Sequence, residues 1–230
     1  MMYSEYPVES AGSTLLRRVF GWMTLGLSLT GVTAVAMNMI PGMQLALKQH
    51  PGLILVLVLM QLGVVLFLSF GIQRMSKEAA MACFVFYALL TGMTFSTLFL
   101  VYTGASLALT FFVCAGMFGA MALYGMMTKS DLSGLGTFLI MGLVGLIIAG
   151  LINMFLRSAQ FDFITSIFGV IIFTLFVAYD VQRIKQAGMH MLGEGDDMAK
   201  VSIISALSLY LDFINLFLYL LRFLGQRRND

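Results

Sequence analysis

The sequence predicts an all-α integral membrane protein, a bundle of seven transmembrane helices. Its 230 residues are 60% hydrophobic and 10% charged, whereas a soluble domain carries about 25% charged residues. The apolar residues form seven runs of about 20 residues, the length at which a helix crosses a hydrocarbon core of about 30 Å. The loops are too short to hold an enzyme domain. A formal net charge of +2 without a long basic run argues against nucleic acid as a partner.

Charged or turn-forming residues separate the apolar runs. Arg17 and Arg18 precede the first run, which is longer than the 7 to 15 or so apolar residues of a cleaved signal sequence and is therefore read as a span. The other boundaries are 41–52, 73–78, the minimal turn 102–105, 128–134, 157–162 and the most charged loop, 185–199. The predicted spans are 19–40, 53–72, 79–101, 106–127, 135–156, 163–184 and 200–222. We expect a cytoplasmic tail at 1–18, a transmembrane domain at 19–224 and a C-terminal tail at 225–230.

The distribution of positive charge predicts the orientation, because cytoplasmic loops are enriched in Lys and Arg. One side of the bundle would carry Arg17, Arg18, Arg74, Lys77, Lys129, Arg183, Lys185 and Lys200, and the other Lys48 and Arg157. The N-terminus is therefore predicted to be cytoplasmic. Seven spans place the C-terminus outside, but the arginines of the C-terminal region leave its side open.

The seventh span carries a stripe of polar residues. Their spacing of three or four residues places them on one face of a helix: Ser205, Ser208, Asp212, Asn215, Tyr219 and Arg222. Leu, Ile and Phe fill the other faces. An ionised carboxylate near the middle of a membrane costs at least about 2.5 kcal/mol unless it faces protein or water. This helix is therefore expected inside the bundle, and Asp212 is expected to have a partner.

Asp180, in the sixth span, is the expected partner of Asp212. No other carboxylate lies well inside a predicted span. Two carboxylates in one low-dielectric site cannot both ionise at low cost, so the pair is expected to titrate as a coupled unit and to sense protons without histidine. The structural alternative is that Arg183, three residues after Asp180, neutralises it along the same helix.

Several other residues have a functional and a simpler interpretation. Arg74, at the end of the second span, could close over the aspartates or serve only as a topology anchor. Asn215 could line a wet path or bond between helices, and Arg222 is expected to reach the membrane interface. The remaining candidates are expected to be solvated loop histidines or ordinary core thiols: His50, His190, Cys83 and Cys114.

Two motifs resemble the Bax inhibitor-1 family, also called the transmembrane Bax inhibitor motif family. The more specific motif is Leu209–Phe217, LYLDFINLF, together with Tyr179 and Asp180 at the end of the sixth span. Gly92–Ser96, GMTFS, is similar to another family stretch. The resemblance covers nearly the whole chain in length, span count and the short loop after the third helix. It implies a bundle in which the last helix is central and surrounded by the other six.

The resemblance also implies an activity, a pH-sensitive calcium leak gated by the paired aspartates. A second-helix arginine would latch onto the pair in the closed state, and Arg74 is the nearest candidate. A dianionic pair attracts a divalent cation, while a proton or an arginine competes with it. Two carboxylates are too few for a tight cage of about 6 to 8 oxygens, so Asp180 and Asp212 are expected to form a weak transit site. No cofactor is expected, since calcium would be the transported ion.

Other functions fit the sequence less well. An intramembrane aspartyl protease would need the GxGD fragment at 193–196 inside a helix, but it lies in a polar loop, and no Pro-Ala-Leu element is present. A proton-coupled transporter would show an inverted repeat, which is not evident. The main alternative is a non-transporting regulator that binds other membrane proteins, such as a membrane protease or cell-death factors. The expected location is a bacterial inner membrane, or the endoplasmic reticulum membrane in a eukaryote.

Overall fold

The computed structural model describes residues 8–189 and 195–228, and nearly all of them are helical. The α-helices in these segments are α1 Val8–Met39, α2 Met43–Gln49, α3 Pro51–Gly71, α4 Lys77–Phe95, α5 Leu98–Val101, α6 Gly104–Met127, α7 Leu135–Leu156, α8 Ala159–Met189 and α9 Asp196–Leu224, and a 3-10 turn, Ile72–Arg74, follows α3. Seven stretches are long and apolar enough to cross a membrane, with α4 and α5 forming one of them. The predicted all-α bundle of seven spans is confirmed.

The last helix lies at the centre of the bundle. In its most apolar part, α9 is 61% buried, against 6 to 39% for the other six spans. It packs mainly against α1, α4, α6 and α8, while α3 and α7 lie outside them on α4 and α8. The predicted central position is confirmed, with four helices rather than six forming most of the surrounding shell.

Glycines allow the inner helices to approach closely. A Cβ on Gly92 of α4 would lie 2.7 Å from the Thr30 carbonyl oxygen of α1, closer than such atoms can approach. A Cβ on Gly125 of α6 would overlap the backbone of Ala178 in α8. Because association within a membrane depends on close packing more than on hydrophobic burial, these two contacts hold α4 and α6 in their positions.

Several boundaries differ from the predicted ones. The sixth span, α8, covers Ala159–Met189 rather than 163–184, and α9 begins at Asp196 rather than at 200. The first helix begins at Val8, so residues 8–18 are helical rather than a flexible tail. Leu15 and Leu16 are buried, which shows that the apolar face of α1 continues past the two arginines. The third span is interrupted after Phe95, where the hydroxyls of Ser96 and Thr97 donate to carbonyls three residues back. Such local bonds compete with the helical ladder and break it.

The bundle has two distinct ends. At the charged-loop end, Lys77 pairs with Asp196 at 2.9 Å, and the 128–134 loop is bound by the Gln182 side chain, which donates to Ser130 O and accepts from Leu132 N, both at 2.8 Å. In that loop Ser133 donates twice to Asp131, which lowers the pKa of this carboxyl.

At the C-terminal end, the chain after α9 lies against the turn that follows α5. The Arg228 amide donates to Val101 O at 2.8 Å, and the Thr103 amide donates to Gln226 O at 3.3 Å. Since α9 crosses the whole bundle, the start of α1 and the end of α9 lie at opposite ends. The described chain therefore begins and finishes at opposite ends of the bundle.

Candidate functional site

The structure brings Asp180 and Asp212 together between α8 and α9. Both residues are buried, with exposed fractions of 5% and 6%. They line one cavity of about 260 Å³ between α7, α8 and α9. Asp180 lies toward the charged-loop end of α8, while Asp212 lies near the middle of α9. The two acids of the sixth and seventh spans therefore form one site.

Asp180 has both a hydrogen-bond donor and a cation beside it. The Ser208 hydroxyl of α9 donates to Asp180 Oδ2 at 2.5 Å. A guanidinium nitrogen of Arg183 lies 3.9 Å from Asp180 Oδ1, and the Arg183 side chain is 70% exposed. An ion pair this long and this exposed is weak. Arg183 thus lies beside Asp180, as the structural alternative expects, but the ion pair between them is weak.

Asp212 lacks such partners. Its Oδ2 is buried and accepts or donates no hydrogen bond within the described residues, and none of the ion pairs there includes it. Burying a carboxyl without a hydrogen-bond partner costs free energy in both protonation states, because either a charge or an unsatisfied polar atom is removed from water. The cavity of about 260 Å³ beside it has room for water or a small ion.

Of the other predicted site residues, Asn215 lines the cavity of the aspartate pair and Arg74 does not. Asn215 lines the same cavity and donates its side-chain amide to Leu211 O at 2.8 Å. Arg74 is exposed and makes no ion pair in the described part of the chain. Instead Ser69, five residues earlier, brings the end of α3 to a cavity of about 280 Å³ that also borders Asp180. The latch contact is therefore not formed in this structure.

The polar stripe of α9 faces three cavities in succession. Ser205 borders the one of about 280 Å³ near the charged-loop end, and Ser208 borders both this and the next. Asp212 and Asn215 face the cavity of about 260 Å³. Tyr219 and Arg222 face a third, of about 550 Å³, at the C-terminal end. The stripe thus borders a cavity at each of three levels along α9.

An aromatic contact separates the second cavity from the third. The Tyr219 ring stacks on Phe173 of α8, with centroids 5.8 Å apart and an interplanar angle of 26°. The ring lies directly over Gly169, where an added Cβ would overlap it. We call Tyr219, Phe173 and Gly169 the aromatic barrier. Tyr219 was part of the predicted stripe, but no sequence pattern distinguished Phe173 or Gly169 from other apolar residues of the span.

The remaining candidates behave as structural residues. Within residues 8–189 and 195–228, no group of three or more His, Cys, Asp or Glu side chains could hold a metal ion. Cys114 is buried and Cys83 partly so, and neither is in a disulfide. His50 is exposed between α2 and α3, while His190 lies outside the described residues. Asp196, from the GxGD fragment, is at the surface with Lys77 and not beside Asp180, which disfavours a protease.

Fold and site together define a polytopic helical membrane protein with an acidic pair buried beside its central helix. The family model that describes the inhibitor of apoptosis-promoting Bax1 matches residues 12–229. The chain therefore belongs to the Bax inhibitor-1 family, as the motifs around Asp180 and Asp212 predicted.

Bacterial relatives agree with this assignment over nearly the full length. The inner membrane protein YbhL of Escherichia coli strain K12 is 46% identical over 217 residues, which cover 94% of this chain and 92% of YbhL. The uncharacterized protein RP147 of Rickettsia prowazekii is 46% identical over 214 residues, 92% of this chain and 89% of that protein. An uncharacterized protein of Borreliella burgdorferi is 43% identical over 215 residues, 94% and 93% of the two chains.

Proposed function

We propose that this protein is a pH-sensitive calcium leak in which Asp180 and Asp212 form both the ion site and the proton sensor. The observation that carries the proposal is the Asp212 carboxyl, which is buried, lacks a partner for Oδ2 among the described residues and shares a cavity with a second carboxyl. An acid kept in such a place, at a cost in stability, is a functional candidate by default.

Protons and calcium would compete for this pair. The dianionic pair attracts a divalent cation, and a shared proton reduces that attraction. Calcium binding is therefore expected to weaken as the pH falls. Ser208 and Asn215 border the same cavity and offer further oxygen atoms, but the set stays short of the 6 to 8 or so ligands of a tight site. A weak site suits a leak, because a conducted ion must also leave.

Two arginines would change the charge state of the aspartate pair without binding calcium themselves. Arg183 is the cation beside Asp180 in this structure, where it favours the charged carboxylate. Arg74 is our candidate for a latch in another conformation, since it stands at the end of the helix that carries Ser69 to the Asp180 cavity. The aromatic barrier would separate Asp212 from the C-terminal end of the bundle in this conformation.

We place the protein in a bacterial inner membrane with its N-terminus in the cytoplasm. The relatives above are bacterial, and one of them is named an inner membrane protein. The excess of Lys and Arg at the charged-loop end supports the orientation. The aspartate pair would then be reached more directly from the cytoplasm.

The test is calcium flux into liposomes that contain the purified protein, measured between about pH 6 and pH 8 around the range where such a coupled pair can titrate. We expect flux that depends on pH in the wild type, and loss of that dependence in both Asp180→Asn and Asp212→Asn. Asp197→Asn is the matched control, because Asp197 is an exposed acid in the first turn of the same helix.

Two results would contradict the proposal. If wild-type liposomes show no protein-dependent flux at any pH, the leak is refuted and the regulator that binds other membrane proteins takes its place. If flux occurs but keeps its pH dependence in both variants while each remains folded, the aspartates are not the sensor. A regulator should also retain its partner interactions in Asp212→Asn, because it does not need the charge.

A further inference from the structure

The cavity of about 550 Å³ at the C-terminal end is lined by positive charge. It lies between α7, α8, α9 and the turn after α5. Four charged side chains line it, Arg157, Arg222, Arg227 and Asp162, three of them cationic. The aromatic barrier separates this cavity from the aspartate pair, so the calcium site accounts for none of these arginines.

Two of the three arginines stand at distinctive points of the backbone. Arg157 ends α7 with φ 49° and ψ 37°, a left-handed conformation that glycine or asparagine adopts more easily. Arg227 forms an antiparallel bridge with Tyr102, in a segment whose amides are bonded on both sides of it. Both side chains start from the rim of the same cavity, which brings their guanidinium groups within reach of one ligand.

The positive charge is only partly neutralised. Arg222 lies 3.4 Å from Asp162 Oδ1 and 5.4 Å from the centroid of the Tyr219 ring. Arg157 and Arg227 have no side-chain hydrogen bond or ion pair within residues 8–189 and 195–228. Ser158 and Ala159, at the N-terminus of α8, also border the cavity, although the amides of Ser158 and Phe161 already donate to Asn153 Oδ1 and Ser158 Oγ.

We propose that this cavity binds a phosphate-type oxyanion, either free phosphate or the headgroup phosphate of an anionic lipid. Guanidinium groups bind phosphate through paired, charge-assisted hydrogen bonds, and three of them here face one carboxylate. The volume lies within the range of about 300 to 1,000 Å³ that small-molecule sites occupy. Met154, an exposed residue near the C-terminal end of α7, forms part of the wall, so a lipid at the surface of the bundle could reach the cavity. This site is independent of the calcium leak.

The test measures binding of two ligands to the purified full-length chain in a non-ionic detergent. The first arm titrates sodium phosphate against sodium chloride at equal ionic strength and follows the thermal unfolding midpoint. The second compares retention of spin-labelled phosphatidylglycerol with that of spin-labelled phosphatidylcholine. A response to phosphate identifies the free anion as a ligand. Preference for phosphatidylglycerol without a phosphate response identifies the lipid headgroup, and absence of both overturns the proposal.

Substitutions of single arginines test whether the ligand binds in this cavity. Arg157→Gln and Arg227→Gln should each weaken binding by about 10-fold or more, since each removes charge-assisted bonds to the ligand. Arg17→Gln, an exposed arginine at the opposite end, should leave the affinity unchanged. Equal losses in Arg17→Gln and the cavity variants would show general charge attraction and overturn the site.

Asp162→Asn separates ligand binding from a merely structural role of the arginines. The Asp162 carboxylate competes with the anion for Arg222, so its removal should tighten binding by up to about 5-fold, the upper value of an exposed ion pair. A structural cluster would instead lose stability without any gain in affinity. An affinity that fails to rise would refute the assignment of Asp162 as the competitor and, with it, an anion at this position.

Discussion

Gly169→Ala should destabilise the protein only while Tyr219 is present. Gly169 lies under the Tyr219 ring, and an ideal Cβ there would come closer to the ring than non-bonded carbons approach. The ring cannot retreat easily, because Phe173 stacks on it at 5.8 Å and the Arg222 guanidinium lies 5.4 Å from its centroid. The alanine methyl must therefore push apart the aromatic barrier.

The change in the free energy of unfolding caused by Gly169→Ala should have opposite signs in the wild type and in Tyr219→Ala. Overpacking by a methyl costs about 1–3 kcal/mol, while alanine gains about 0.8–1.0 kcal/mol over glycine inside a helix. The wild type should thus lose up to about 2 kcal/mol. In Tyr219→Ala the overlap is gone, so Gly169→Ala should stabilise by up to about 1 kcal/mol. The coupling between the two positions is about 1–3 kcal/mol.

The assay is reversible unfolding of the wild type, the two single variants and the double variant in mixed micelles. Gly145→Ala in α7 is the control, because nothing lies within 4 Å of an added Cβ there, and its effect should be the same in both backgrounds. If Gly169→Ala changes stability equally with and without Tyr219, the contact is not tight and the reasoning fails.

The same variant tests the barrier as a gate. Tyr219→Ala would join the Asp212 cavity to the one at the C-terminal end, and calcium flux should rise about 10-fold for each 1.4 kcal/mol removed from the barrier to ion passage. Phe223→Ala is the matched control, since this exposed ring of the same helix contacts Phe163 and borders none of the three cavities. An unchanged flux in a folded Tyr219→Ala protein would place the gate elsewhere.

Two further predictions concern the packing of the bundle and one of its loops. Gly125→Val should prevent accumulation of folded protein in the membrane, because its Cβ would already meet the Ala178 backbone. Gly116→Val on the same helix should fold, because Gly116 is exposed and nothing lies within 4 Å of an added Cβ there. Gln182→Leu should lower the free energy of unfolding by about 1–3 kcal/mol, the cost of leaving buried backbone groups without partners, and should speed hydrogen exchange in the 128–134 loop. Gln186→Leu should change neither, because Gln186 borders the same cavity but makes no hydrogen bond to the backbone of that loop within the described residues.

The span count, the polar stripe of the last helix and the pair of acids could all be predicted from the sequence. Hydropathy over about 20 residues is a local property, and the bilayer allows almost no other backbone than a helix for such segments. The helical period then places Ser208, Asp212 and Asn215 on one face without any knowledge of the neighbours. The same reasoning placed the start of the first helix too late, because the charge of Arg17 and Arg18 concealed an apolar face that continues to Leu15.

The partners of these residues were decided by the tertiary structure alone. Ser208 bonds Asp180, Asp212 Oδ2 keeps no partner in the described bundle, and Arg74 stays away from both. The three arginines at the C-terminal end come from α7, α9 and the tail, far apart in the chain. Which faces of distant helices meet depends on close-packed contacts such as Gly92 with Thr30 and Gly125 with Ala178. The sequence of a membrane helix shows that such a face is apolar, but it does not show which other helix that face contacts.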